Sequence, residues 1–308
     1  MEGNTDILIT GASGMLGAYL KEEFKMQLPS AKIFSLGRDK ENDFCCNLSS
    51  EKPDFRNRHF KIVAHCAGTE KKKDAASLNI DGTRRLLEAL ENNPPEYFIY
   101  ISSFRVYNPD SNDRSTEDST LLPSGEPGIS KLNAERIVTD WSKRHGVTLT
   151  IIRPALMFGN GVGGDTLRLF NDALNGNYIH IRGNNARVSL VTALDVAKGI
   201  VAIYQMGGIY NAADGTDPEF LNLVEAMTAN AGRQKRQTHL PADWAEWIWR
   251  LGKWIPFIDR NLNPETVAER MKSTIIDGTK FAEAAGLSYF NTINVISRTD
   301  NTYPYSES

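Results

Sequence analysis

Three glycines, Gly11, Gly14 and Gly17, recur at every third position of Thr10-Gly11-Ala12-Ser13-Gly14-Met15-Leu16-Gly17, directly after the apolar run Asp6-Ile7-Leu8-Ile9-Thr10. In a strand-to-helix turn of this kind Gly11 permits the tight turn. Gly14 lets the backbone approach a pyrophosphate, and Gly17 lets the following helix pack closely on the sheet. The helix N-terminus then offers free N–H groups and the positive end of its dipole to phosphates. The plainer alternative is a turn with no ligand; its place between a strand and a helix, at the start of a βαβ run, favours dinucleotide binding. The next strand candidate closes on Ser35-Leu36-Gly37-Arg38-Asp39. An acid at that point would bond the ribose hydroxyls of NAD, whereas Arg38 can pair with a 2′-phosphate and favours NADP. Asp39 lies one step beyond the usual acid, and Arg38 also suits an ordinary solvated loop.

Such a loop needs a sheet to hold it. Lys32 to Leu36, Phe60 to Ala64, Tyr97 to Ile101 and Val147 to Ile152 read as strands, the last stopped by Pro154. Met15 to Phe24, Ala75 to Glu91 and Ser130 to His145 read as helices, the third closed by Gly146 at the position glycine favours. Strands alternating with helices predict a parallel sheet of βαβ units. The length of 308 residues suits about two domains, or one large α/β domain with insertions.

Composition removes several classes. Apolar residues at 41% and charged residues at 24% exclude a wholly disordered chain. A net charge of −3 argues against nucleic-acid binding through bulk charge. Cys45, Cys46 and Cys66 form no CxxC, so neither a disulfide framework nor a zinc site is expected, and a reducing cytoplasmic setting is. The five histidines show no metal spacing and read mostly as surface or loop residues. The N-terminus lacks a signal-peptide pattern, and no apolar run of about 18 residues predicts a membrane span.

Taken in order, several stretches resemble the extended short-chain dehydrogenase/reductase family, the NAD-dependent epimerase/dehydratase group. They are the glycine loop, Asn47-Leu48, His65-Cys66-Ala67-Gly68, Asn79-Ile80-Asp81-Gly82-Thr83, Ser102-Ser103-Phe104-Arg105-Val106-Tyr107, Arg153-Pro154 with Phe158-Gly159, Val188 to Ala197, and Gly208-Ile209-Tyr210-Asn211. The resemblance runs over roughly residues 6 to 290. It implies cofactor contacts from Gly11, Ser13, Gly14, Met15, Leu16, Gly17, Arg38, Asn47, Leu48, Cys66, Ala67, Gly68, Asn79, Ser102, Lys131, Arg153 and Pro154. Substrate contacts are implied for Ser103, Phe104 and Arg187, and no metal is.

The family's chemistry uses a Ser or Thr, a Tyr and a Lys, the last two as Y-x-x-x-K. Ser103 and Lys131 match, but the tyrosine position is Pro127, in Pro127-Gly128-Ile129-Ser130-Lys131. Near a helix start a missing N–H costs little, so the fold tolerates proline there. The phenol that would carry the proton is absent, a loss typically of about 10²–10⁴-fold. Tyr107, Glu126 or a water are the alternative acids, with packing at a strand end the plainer reading of Tyr107.

Residues 159–187 read as an insertion, with a helix from Gly164 capped by Asp165 and with Arg187 facing a diphosphate or simply solvent. Trp244, Trp247, Trp249 and Trp254 fall within eleven residues. Trp244, Ile248, Leu251 and Ile255 share a helical face, expected to pack beneath a small lobe. A dimer contact, an apolar substrate wall and an interfacial membrane helix are the other readings.

The expected architecture is therefore α/β, a Rossmann-type doubly wound parallel sheet with a smaller interleaved C-terminal substrate lobe. Residues 1–157 with 188–213 form the dinucleotide-binding domain, 158–187 with 214–285 the lobe, and 286–308 a tail. The resemblance implies an NAD(P)-dependent epimerase, dehydratase or reductase acting on a nucleotide sugar, and a homodimer. The alternatives are a weakly catalytic or non-catalytic dinucleotide-binding protein, because of Pro127, and a reductase of an apolar hydroxy or keto substrate.

Overall fold

The computed structural model describes residues 5–110, 114–230, 238–255, 258 and 261–297. Seven parallel strands make the central sheet. They are β1 (Asp6–Thr10), β2 (Lys32–Gly37), β3 (Phe44–Cys45), β4 (Ile62–His65), β5 (Tyr97–Ile101), β6 (Thr148–Pro154) and β10 (Gly208–Ala212), in the spatial order β10-β6-β5-β4-β1-β2-β3. The direction of winding reverses between β1 and β4, where Thr10 lies beside His65. Open α/β sheets bind ligands at the carboxyl ends of strands at such a point.

Residue alternation explains the two layers. Ile7, Ile9, Ile62, Ala64, Ile99 and Ile152 face one side, against α1 (Met15–Gln27) and α6 (Ala193–Ile203). Leu8, Val63, Phe98, Tyr100 and Ile151 face the other, against α3 (Thr83–Leu90) and α4 (Glu126–His145). Leu86, Leu90 and Trp141 belong to this second core, while Ile137 only packs at its margin.

Three local departures from the sequence reading have physical causes. The helix expected from Ala75 to Glu91 is broken into α2 (Lys72–Ala75), a π-helical turn (Ala76–Gly82) and α3. The wider turn holds the Asn79 side chain inward among buried partners, a common use of π turns at sites. β6 continues through Arg153 and Pro154 because Pro154 is its last residue and the next N–H, of Ala155, bonds Ala212. α4 begins at Glu126, earlier than Ser130, since Pro127 sits in its first turn where no N–H is needed.

A smaller part lies beyond β6. It contains β7 (Leu156–Phe158), α5 (Gly164–Asn175), β8 (Ile179–Ile181), β9 (Leu190–Thr192), α7 (Phe220–Asn230), β11 (Thr238–Leu240), α8 (Ala242–Gly252), α9 (Pro264–Arg270) and α11 (Thr292–Ser297), whereas α10 (Thr279–Ala285), expected in the lobe, packs its Phe281 into the first core of the main sheet beside α6. β9 pairs with β7, outside the main sheet, and β8 pairs with β11. α5 is preceded by Gly163 at its cap position, so Asp165 falls inside the first turn; its side chain lies outside the described residues. Of the tail, residues 298–308 also lie outside them.

The tryptophan helix corrects an expectation. The small core beside α8 takes Ala245, Ile248 and Trp249, with Ile181, Leu262 and Val267. Trp244, Leu251 and Ile255, expected to pack inward, are exposed, as are Trp247 and Trp254. The histidines need a second correction: His65 and His180 are buried rather than surface residues. Among the described residues no helix is long and apolar enough to cross a membrane, and no group of His, Cys, Asp and Glu is placed to hold a metal.

Candidate cofactor and substrate site

The glycine loop lies against the segment that follows β4. Gly11 has φ +67°, and a Cβ there would come within 2.9 Å of the Ala67 nitrogen. A Cβ at Gly17 would stand 2.2 Å from the Gly11 oxygen, so α1 packs directly on the turn. Gly14 precedes α1 with no side-chain cap, and Ser13 and Gly14 are exposed. The first N–H groups of α1 therefore meet no capping side chain, as an anion site requires.

A buried chain of hydrogen bonds fixes the floor. Thr10 Oγ1 accepts from the Ala67 N–H at 3.1 Å and lies 2.7 Å from His65 Nδ1. Thr83 Oγ1 donates to the Asn79 carbonyl at 2.6 Å and lies 3.0 Å from His65 Nε2. Thr83 thus accepts from His65 Nε2–H, and Thr10 donates to Nδ1, which assigns the tautomer from its partners. Burial first, and the Lys131 charge second, hold the imidazole down to about 3, so it is neutral. Asn79 gives its amide N–H groups to the Thr69 carbonyl and Ser130 Oγ, both at 2.9 Å, and accepts from Thr69 N–H at 2.9 Å. Its side chain clamps the loop after β4 to α4.

Lys131 arrives on the second turn of α4. Its Nζ donates to the Ile101 carbonyl at 2.8 Å and stands 5.2 Å from the Tyr100 ring centroid. A Cβ at Gly68 would meet this Nζ at 2.6 Å, so the ammonium lies against the Gly68 backbone. Burial lowers the lysine to about 8, while Cys66, Glu70 and Glu135 pull it up. Burial also pushes the Cys66 thiol up to about 12. α4 is pressed onto the segment after β5: a Cβ at Gly128 would lie 2.3 Å from the Arg105 carbonyl oxygen. That segment carries Ser102, buried with its Oγ unpartnered, and Ser103, whose Oγ accepts the Arg105 N–H at 3.3 Å.

Other expected residues occupy the periphery or the scaffold. Arg38 is exposed just beyond β2. Asn47 closes a turn by accepting the Ser49 N–H at 3.2 Å, and Leu48 is core. The Arg153 guanidinium is enclosed, pairing with both Glu135 oxygens at 3.0 and 2.7 Å and donating to Tyr107 OH at 3.0 Å. Tyr107 donates in turn to Asn211 Oδ1 at 2.6 Å, so its phenol is committed on both sides. Glu126 is exposed.

Between the sheet and the smaller part lies a cleft of about 630 Å³. Phe104 and Arg187, both expected at a substrate, line it. So do Arg105, Arg168, Arg270 and Lys272, cations that no spacing in the sequence singled out, interleaved with the acids Glu70, Asp172, Glu265 and Glu269. They come from distant segments and meet only through folding. Arg187 Nε donates to the Asp217 carbonyl at 2.8 Å, Arg105 faces Glu70 at 3.7 Å, and Lys272 pairs with Asp110.

The profile of the NAD dependent epimerase/dehydratase family matches residues 7–213. Among curated proteins the chain is 26% identical over 266 residues to the N-acetyl-alpha-D-glucosaminyl-diphospho-ditrans,octacis-undecaprenol 4-epimerase of Escherichia coli O157:H7, covering 77% of this chain and 76% of that one. Among solved structures, UDP-glucose 4-epimerase from Thermotoga maritima, with UDP-glucose, superimposes with TM-score 0.75 at 17% identity, covering 96% of this chain and 97% of that one. The dTDP-glucose 4,6-dehydratase of Bacillus anthracis, in complex with NAD, does so with TM-score 0.72 at 15% identity, covering 95% and 94%. At these identities the structures share the fold.

Proposed function

The chain belongs to the NAD dependent epimerase/dehydratase family, and from that premise we propose that it binds a nicotinamide dinucleotide on its glycine loop and a diphosphate-linked sugar in the cleft. One observation carries the reading. A continuous line of contacts runs from Gly11 through Ala67 and Gly68 to Lys131 and the end of β5, and the segment that follows β5 brings Phe104 and Arg105 into the wall of the cleft. The uncapped helix, the glycine cradle and the unpartnered Ser102 hydroxyl fit a dinucleotide.

In this reading Gly11, Ser13, Gly14, Met15, Leu16 and Gly17 hold the diphosphate. Arg38, Asn47 and Leu48 flank the adenosine end. Cys66, Ala67, Gly68, Asn79, Ser102 and Lys131 shape the other end, with Arg153 and Pro154 supporting it from beneath. When bound, the nicotinamide supplies a hydride acceptor and donor. Ser103 positions the reacting carbinol oxygen and Lys131 holds the nicotinamide ribose. Phe104 and the arginines orient the sugar diphosphate. The sheet-forming part carries the cofactor, and residues 158–187 with 214–285 carry the substrate.

Pro127 leaves the family's proton-donor position without a phenol, so the expected enzyme binds well and turns over slowly. Relatives and structural neighbours bearing epimerase and dehydratase names support conversion of a nucleotide sugar or a lipid-diphosphate sugar. A neighbour with NAD supports that cofactor, whereas exposed Arg38 supports NADP. The three unpaired thiols suit a reducing cytosol.

Calorimetric titration with NAD and NADP tests the cofactor: binding of neither overturns the reading, and tighter NAD overturns the role of Arg38. Turnover assayed with UDP-N-acetylglucosamine and with polyprenyl-diphospho-N-acetylglucosamine separates the two substrate sources.

A further inference from the structure

α8 (Ala242–Gly252) completes the small core with Ala245, Ile248 and Trp249, and no described residue covers its opposite face. That face presents Trp244, Trp247 and Leu251 at 61%, 62% and 53% exposure, followed just beyond the helix by Trp254 at 74%. Positions 244, 247 and 251 share one side of a helix, so the exposed side chains form a stripe rather than scattered points. At about 150–250 Å² for each aromatic side chain, the stripe reaches the few hundred Å² at which a surface patch marks an interaction site.

We propose that this stripe docks the protein onto the interface of an anionic lipid bilayer. Three features select that occupant over a protein partner. First, the stripe is dominated by tryptophan, whose ring suits the boundary between headgroups and acyl chains. Second, its area falls short of the ~800 Å² per partner of a stable protein interface. Third, cations accompany it. Lys253 is exposed next to Trp254, its Nζ 5.9 Å from the Trp249 ring. Arg250 is exposed on the helix, paired with Glu246 at 2.6 Å. Arg182, also exposed, is tied through its N–H to the Leu240 carbonyl just before α8. The exposed acids Asp243 and Glu246 balance Arg250 and Lys253, so Arg182 supplies the net positive charge beside the apolar aromatic face of an in-plane helix. At eleven residues α8 is far too short to cross a bilayer.

The position gives docking a use. Val267 of α9 (Pro264–Arg270) packs on the inner side of α8, while Glu265, Thr266, Glu269 and Arg270 of the same helix line the cleft. The stripe and one wall of the cleft are thus two sides of a single small core. A bilayer under α8 would bring the cleft to the headgroup level, where a sugar on a lipid diphosphate is found. This use rests on the proposed function; the docking itself does not, because it is read without substrate or cofactor.

The test is flotation of the purified protein with vesicles of phosphatidylcholine and phosphatidylglycerol in equal parts, read alongside tryptophan emission. The native protein is expected to float and its emission to shift to shorter wavelength. The triple variant Trp244→Ser, Trp247→Ser, Trp254→Ser is expected to lose partitioning by about tenfold or more while keeping its melting temperature, since all three side chains are exposed. Failure of the native protein to float at micromolar concentration overturns the proposal, as does unchanged flotation of a folded triple variant. So does a native protein that stays in solution but falls from a larger species to a single chain on the triple substitution, which makes the stripe a contact between copies. If the triple variant fails to fold, Lys253→Glu with Arg182→Glu is used. Weaker flotation supports the proposal, and unchanged flotation overturns it.

Discussion

Pro127 concentrates the chemistry of this chain at one residue. A phenol at that position would contribute to the transition state more than to ground-state binding. Pro127→Tyr is therefore expected to raise turnover by about 10²-fold or more with cofactor affinity nearly unchanged, in single-turnover and titration measurements. The helix accepts the change because its first-turn N–H groups can remain free. Equal activity in both proteins would assign the proton to another group. Tyr107 is a poor choice for it, with its phenol bonded on both sides and pushed above its ordinary range by burial.

Lys131 gives the folded protein a pH signature. Its ammonium titrates at about 8 in the folded protein, against about 10.4 for an unperturbed lysine. Between those values the unfolded chain binds more protons than the folded one, so stability from this group rises with pH across that window. Without cofactor, the native protein should gain melting temperature relative to Lys131→Met between about pH 8 and about pH 10. A difference that stays flat would contradict a buried, depressed lysine.

At the scale of elements, the site depends on how α4 meets the end of β5. Alanine at position 128 would favour the helix by up to about 1 kcal/mol. Its Cβ would meet the Arg105 carbonyl at 2.3 Å and the Pro123 Cβ at 2.9 Å. The contact is with backbone and should prevail, so Gly128→Ala is expected to cost about 1–3 kcal/mol in urea unfolding. A raised or unchanged midpoint would mean that α4 can move off the strand end. Five of the seven sheet strands and the helices α1 and α4 were legible in apolar runs and helical spacing; β3 was not, and Gly208 to Asn211 of β10 was marked only by the family resemblance. The π turn at Asn79 was not legible either, because its cause is the set of partners around that side chain, Thr69 and Ser130.

For the whole molecule, Leu86, Leu90 and Trp141 are buried against the sheet and are not available to a second copy. What α4 and the π turn leave at the surface is a shallow depression lined by Ala76, Ile80, Asp81, Arg84, Asn133, Arg136 and Ile137. We propose an isologous dimer over this face, the commonest closed assembly. Light scattering is expected to give twice the 34.3 kDa chain mass, and Ile80→Arg with Ile137→Arg to halve it. A native species of one chain mass would remove the dimer.

The parallel sheet and the glycine turn at the start of its first helix were legible along the chain, because they depend on local spacing; Ser103, Lys131 and the replaced tyrosine were marked only by the family resemblance. Which further cations join Arg187 across the cleft, and which side chains stay outside the core, depends on contacts between distant segments. Arg168, Arg187, Arg270 and Lys272 converge from separate segments. Arg153 is taken out of reach by Glu135 and Tyr107. The tryptophan helix has an apolar face by spacing alone, yet which side of it is covered depends on neighbours. Ala245, Ile248 and Trp249 fill the available core, and the remaining tryptophans stay outside because no other part of the described chain reaches them.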